Sequence, residues 1–151
     1  MEETKVKLYG AIDLHSSNNV PVVIDEQDRA IYHKRFPQRS GDDRRAAVGL
    51  SASPQSIVVE STYNWYWLVV GLMERGYEVR LANTAVIQQY EEIKYTDDHN
   101  DARWLAHLLR LGVLPQGYIY PKAERAVRDL LRKRSQLVRH RTSHLLSIQI
   151  W

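Results

Sequence analysis

The chain has 151 residues, no cysteine and a hydrophobic content of 44%, which suits one globular domain with its own core and argues against disorder. The missing cysteines exclude disulfides, thiolate zinc sites and cysteine nucleophiles, and they suit a cytoplasmic protein. No apolar run approaches the roughly 20 residues of a membrane span, and Met-Glu-Glu-Thr-Lys leads straight into a strand-like run with no signal peptide. The net charge of +3 is uneven: residues 122–151 hold eight Lys/Arg against two Asp/Glu, and residues 1–121 hold thirteen against sixteen. A basic end beside a mildly acidic body suggests a nucleic-acid contact, although a solvated helix face explains the charge as well.

Lys5–Leu14 reads as a strand, with Val6, Leu8, Gly10, Ile12 and Leu14 on one face by alternation. Ser16–Asn19 is turn chemistry. Val20–Ile24 is a second strand, in which Pro21, having no N–H, belongs at a strand start, a bulge or an edge. Asp25–Asp28 makes the next turn and Ala30–Phe36 a third strand, completing an antiparallel meander. Pro37–Gly41 is a loop, and Asp42–Leu50 a short helix with acidic residues in its first turn.

Ser56–Glu60 is short, continuous and β-branched, as a buried parallel strand should be. Tyr63–Arg75 reads as a helix closed by Gly76, Tyr77–Ala82 as a strand, and Thr84–Tyr90 as a short helix. Asp98–Leu111 is a helix followed by Gly112, and Pro115 and Pro121 punctuate a connector. From Ala123 one helix continues without Gly or Pro to Trp151, as in a fragment of something longer. The order β-β-β-α-β-α-β-α, followed by this long helix, predicts an α/β fold with a mixed sheet of the ribonuclease-H-like kind.

Four acidic residues stand out. Asp13 and Glu60 each end an apolar strand, where sites of α/β sheets gather. If those strands are parallel neighbours the two carboxylates meet, and a cation relieves their repulsion. Either alone is explained as a polar strand end facing solvent. Asp98 and Asp101 share a helix face with Leu105, Leu108 and Leu109, which aims them along the core face. As an N-cap and a first-turn acid, they need no chemistry to explain them, and Asp97 competes with Asp98. Hard oxygen donors favour Mg2+ or Mn2+, and two such ions roughly 4 Å apart serve phosphodiester cleavage.

Gly10-Ala11-Ile12-Asp13, Val59-Glu60-Ser61-Thr62 and Asp98-His99-Asn100-Asp101-Ala102-Arg103, with the basic Leu130-Leu131-Arg132-Lys133-Arg134-Ser135-Gln136-Leu137-Val138, resemble the N-terminal RuvC-like domain of the DEDD-type transposases of insertion-sequence family one-ten. The resemblance runs over essentially the whole chain. It implies a RuvC-like nuclease domain at residues 1–121, and at 122–151 the start of a long basic helix leading to a C-terminal transposase domain absent from this sequence. It implies Asp13, Glu60, Asp98 and Asp101 as a catalytic, metal-binding tetrad, and selects Asp98 over Asp97. It further implies DNA cleavage and strand exchange in transposition, guided by a structured non-coding bridge RNA. The serine nucleophile would come from the absent domain, which leaves this fragment inactive alone. Ser16, Ser17 and Ser61 are not assigned that role. A bacterial-type cytoplasmic location and no membrane partner follow.

Tyr63, Trp65, Tyr66 and Trp67 fit packing better than base stacking, and His15 and His99, each beside a tetrad acid, fit outer-sphere or solvent roles better than ligation. On the last helix Arg125, Arg128, Arg132, Lys133 and Arg139 are the expected phosphate contacts. Val127, Leu130, Leu131, Leu137, Val138, Leu145 and Ile148 form an opposite apolar stripe, expected to leave the body and pair with another copy as a homodimer or higher homo-oligomer. Two rivals remain: a nucleic-acid-binding and dimerisation module without activity, and a RuvC-like structure-specific nuclease. An actin-like ATPase fragment would need a Gly-rich turn after Asp13, where His15–Asn19 has no glycine.

Overall fold

The structure, a computed structural model, describes residues 6–15, 18–37, 54–61, 65–87 and 98–149, without the side chains of 98–100. It divides into two units, residues 1–118 and 119–151. The first contains strands β1 (Tyr9–Leu14), β2 (Asn18–Ile24), β3 (Ala30–His33), β4 (Phe36–Pro37), β5 (Ser56–Glu60), β6 (Glu78–Ala82) and β7 (Gln116–Gly117). Its helices are α1 (Tyr66–Glu74), α2 (Thr84–Ile87) and α3 (Asp98–Leu111). The second unit is α4 (Lys122–Gln149) with the short segment before it.

The strands form one mixed sheet in the order β3-β2-β1-β5-β6-β7, with β4 also on β2. β1 runs antiparallel to β2 and parallel to β5, and β5 runs parallel to β6. The direction of chain pairing therefore changes at β1. The sequence reading placed one face of β1 inside; here Ala11 and Asp13 are as buried as Gly10, Ile12 and Leu14. A central strand loses both faces to packing, so alternation no longer reports its exposure.

One expected strand changes outline and one strand is added. The third is broken into β3 and β4, and the cause is Pro21. Pro21 lies in mid-strand, paired with Ile12, not at an end. Its carbonyl accepts from Lys34 N–H at 3.3 Å, so its nitrogen, on the same side of the strand, faces the break between β3 and β4. The missing donor thus falls where the ladder is interrupted, and the β1 ladder is spared. The added strand β7 pairs antiparallel with β6 at the other edge. The described order is therefore β-β-β-β-β-α-β-α-α-β-α rather than the simpler alternation expected. The expected helix at Asp42–Leu50 lies outside the described residues.

Packing explains the helices. α1 buries Leu68, Val69 and Leu72, and Trp65 before it is also buried, its ring 4.1 Å from that of Tyr66; Tyr63 lies outside the described residues. Gly76, at φ 85°, ends α1 with N–H bonds from Gly76 to Met73 and from Tyr77 to Leu72, a left-handed stop that any side chain would strain. α3 buries Ala102, Leu105, Ala106 and Leu108 against Ala11, Val20, Val22, Ile24, Val58 and Ala82. Ala102 and Ala106 are one turn apart, and their small size brings the helix backbone close to the sheet. Among the described residues, no helix is long and apolar enough to cross a membrane.

Candidate active site

The core beneath α3 shows which sheet face carries the acids. Ala11 of β1 and Val58 of β5 are register partners, and both pack under α3. Side chains alternate along a strand, so Asp13 and Glu60, two residues further on, point to that same face. They end adjacent parallel strands, and the register, extended by one residue beyond Ile12 and Val59, sets them side by side. α3 contributes Asp101 one residue before the buried Ala102.

The electrostatics report how close these groups are. Asp13 is 1% exposed. Burial pushes the Glu60 carboxyl up; a hydrogen bond with Asp13 and the Asp13 charge push it further, His15 pulls it back, and Asp101 adds a last upward push, so that it titrates at about 8. At neutral pH such a carboxyl holds a proton, because a further negative charge beside Asp13 is poorly screened at this half-buried position. The structure thus brings three of the four expected carboxylates into one interacting group. Asp98 opens α3, three residues before Asp101, and its side chain, like that of His99, lies outside the described residues. So does Asp97.

Among the described residues, no three His, Asp or Glu side chains already form a closed metal-holding group. What fits a cation is the donor chemistry: hard carboxylate oxygens, crowded at a buried strand end, one of them forced to keep its proton. A divalent ion would take the place of that proton.

One further interaction adjoins the group and another lies away from it. His15 Nε2 lies 2.7 Å from Asp13 Oδ2. Along α3, Arg103, His107 and Arg110 converge on Asp28, in the turn between β2 and β3. Arg103 donates to its carbonyl at 3.0 Å, His107 Nδ1 lies 3.0 Å from Oδ1, and Arg110 donates to Glu26 O at 3.1 Å. Asp28 adopts φ 65°, and Asp25 closes the turn by accepting from Gln27 N, Arg29 N and Arg29 Nε. This clamp was not foreseen. Its signal was the i, i+4, i+7 spacing of Arg103, His107 and Arg110 on one side of α3.

The five basic residues expected to meet phosphates all lie on α4. Arg132, Lys133 and Arg139 are exposed, while Arg125 and Arg128 are partly covered. Arg125 donates to Tyr120 O at 2.9 Å, and the Arg128 guanidinium lies 5.0 Å from the Tyr120 ring centre. Those two therefore also anchor the start of the helix. No residue of α4 is buried, and Val127, Leu130, Leu131, Leu137, Val138, Leu145 and Ile148 are all exposed.

A buried carboxylate group at parallel strand ends, backed by a helix, is the kind of site that phosphoryl-transfer enzymes build on α/β sheets. The family model for transposases of the DEDD IS110 type matches residues 11–149, and the chain belongs to that transposase family. No curated protein matches the chain. Its class of activity is accordingly DNA transposition, with DNA as the partner.

Proposed function

We propose that this chain carries the metal-dependent DNA-cleaving site of an IS110-type transposase, on a ribonuclease-H-like, RuvC-like sheet. Residues 1–121 would form the nuclease domain, and 122–151 the basic helix. Asp13, Glu60, Asp98 and Asp101 would hold Mg2+ or Mn2+. The observation that carries the reading is the raised titration of Glu60 beside Asp13 and Asp101, in a chain matched almost throughout by the transposase family.

When bound, the ions supply Lewis-acid activation of an attacking oxygen and charge relief at a leaving one. The protein's part is to hold the oxygens. The sheet register sets where Asp13 and Glu60 stand, and α3 where Asp101 stands, so the oxygens are gathered before a scissile phosphate arrives. Strand joining needs a nucleophile that carboxylates do not provide. On the family resemblance, we assign it to a serine-bearing C-terminal domain, and target choice to a structured non-coding RNA. Arg132, Lys133 and Arg139, with Arg125 and Arg128, would meet the phosphates of RNA or DNA. The exposed apolar stripe of α4 would pair with another copy, in the cytoplasm.

Manganese binding by calorimetry tests the reading. Binding by the chain that vanishes in Asp13→Ala supports a pre-assembled acidic site. Absence of binding in both sinks it for this chain. A second reading would then lead: a nucleic-acid-binding and pairing module whose metal site is not assembled. That no three of the described side chains already form a metal-holding group favours it.

A further inference from the structure

Asp13 is the most deeply buried of the described acids in the group, at 1% exposed, yet it does not face the core alone. His15, two residues on and 39% exposed, places Nε2 at 2.7 Å from Asp13 Oδ2. His15 is itself held by the backbone: its N–H donates to Asn18 O at 2.9 Å, across the connection between β1 and β2. One end of this chain of contacts is therefore the sheet, and the other is a carboxylate oxygen.

The consequence is geometric. The terminal torsion of an aspartate is broad and nearly two-fold, so the strand alone does not set the plane of the carboxylate. A ring N–H directed at one oxygen does set it. We propose that His15 is a positioning residue for the cation site read above. Its Nε2–H donates to Asp13 Oδ2 and fixes the plane in which Asp13 meets Glu60 and Asp101. The inference rests on the metal-site reading of that group. Partners of this outer kind orient ligating groups and typically account for about 10- to 100-fold in metal affinity.

The test is a calorimetric titration of the full chain with manganese chloride, at one fixed pH, on the wild type and on Asp13→Ala, His15→Ala and His15→Gln. Metal-free urea unfolding of each is measured in parallel. Glutamine keeps an N–H donor at a reach close to that of Nε2. The expected result is loss of binding in D13A, about tenfold or greater weakening in H15A, and recovery in H15Q to within about threefold of wild type. The metal-free unfolding midpoints of wild type, H15A and H15Q should agree. Wild-type affinity in H15A, with D13A still unable to bind, overturns the role of His15 and leaves the metal site standing. Equal weakening in H15A and H15Q, or a fall in the unfolding midpoint of H15A matching its lost binding, overturns it too, as a structural effect. A wild type that binds no manganese overturns the metal-site reading and this inference together.

Discussion

The sheet unit and α4 use the same kinds of residue to opposite ends. In the sheet unit, the core valines and leucines are out of solvent: Val58, Val59, Val69 and Leu72 are fully buried. On α4, Leu130 is 70% exposed and Ile148 likewise. Charges divide the same way. Asp13 sits in the interior beside other acids, whereas Arg132, Lys133 and Arg139 stand in water. The difference teaches where each region's specificity comes from. A carboxyl such as Glu60 in the sheet unit is perturbed by burial and by the acids beside it. A charge on α4 keeps its solvation, and its meaning depends on what approaches it.

The sharpest way to break that contrast is chemical. In an active transposase carrying this domain, Asp13→Ala should reduce strand cleavage by more than about a hundredfold, beyond what outer-sphere partners contribute. Retained cleavage would remove the sheet unit's claim to the chemistry. The next effect is on folding. Leu72→Ala should lower unfolding free energy by about 3 kcal/mol in urea, through lost burial and a cavity. Leu137→Ala on α4 should change it by no more than about 0.5 kcal/mol, while weakening self-association measured by sedimentation. Equal destabilisation by both would mean that the α4 stripe is already covered within one chain.

A third test uses pH. Burial raises the folded-state titration of Glu60 from its ordinary value near 4.5 to about 8. The folded state then holds a proton that the unfolded chain has released, so its stabilising effect is complete below about 4.5 and is lost as pH rises through about 8. Metal-free urea midpoints should fall across that interval, and Glu60→Gln should flatten the decline. Manganese should oppose it, by favouring the ionised carboxylate. A midpoint that does not change between these limits would deny the crowding of Asp13, Glu60 and Asp101. Asp25 has the opposite sign. Hydrogen bonds from the Arg29 and Gln27 backbone and the Arg29 side chain hold its carboxyl below the usual range, against burial. Its stabilising effect is present above 3.8 and lost on acidification through its lower folded value.

A further effect concerns chain geometry. Gly112, at φ 72°, closes α3, and nothing stands within 4 Å of a Cβ placed there. Gly112→Ala should cost about 1 kcal/mol by strain alone. A neutral result in urea would place the stop of α3 elsewhere.

Much of this was legible in the chain itself. The ranges Ser56–Glu60 and Asp98–Leu111 follow from a β-branched run and from an amphipathic period, both local and both strong. The left-handed stops at Gly76 and Gly112 follow from residue type. The break opposite Pro21 and the pairing of β7 did not follow, because hydrogen-bond partners across a sheet are not neighbours in sequence. The clamp of Asp28 by Arg103, His107 and Arg110 joins residues up to 84 positions from the turn they hold, and no local signal marks both halves.

The carboxylates divide on the same line. Residue type and strand-end position, which are local properties, marked Asp13 and Glu60 as candidates, and helical spacing marked Asp98 and Asp101. That Asp13, Glu60 and Asp101 sense one another was decided by the parallel register of β1 and β5 and by α3 lying across that face. The same holds for the hydrogen bond from His15: its place in the sequence was visible, but its direction was not. Propensity and pattern act over a few residues, whereas the energy of a buried charge depends on everything within several ångströms, wherever in the chain it comes from.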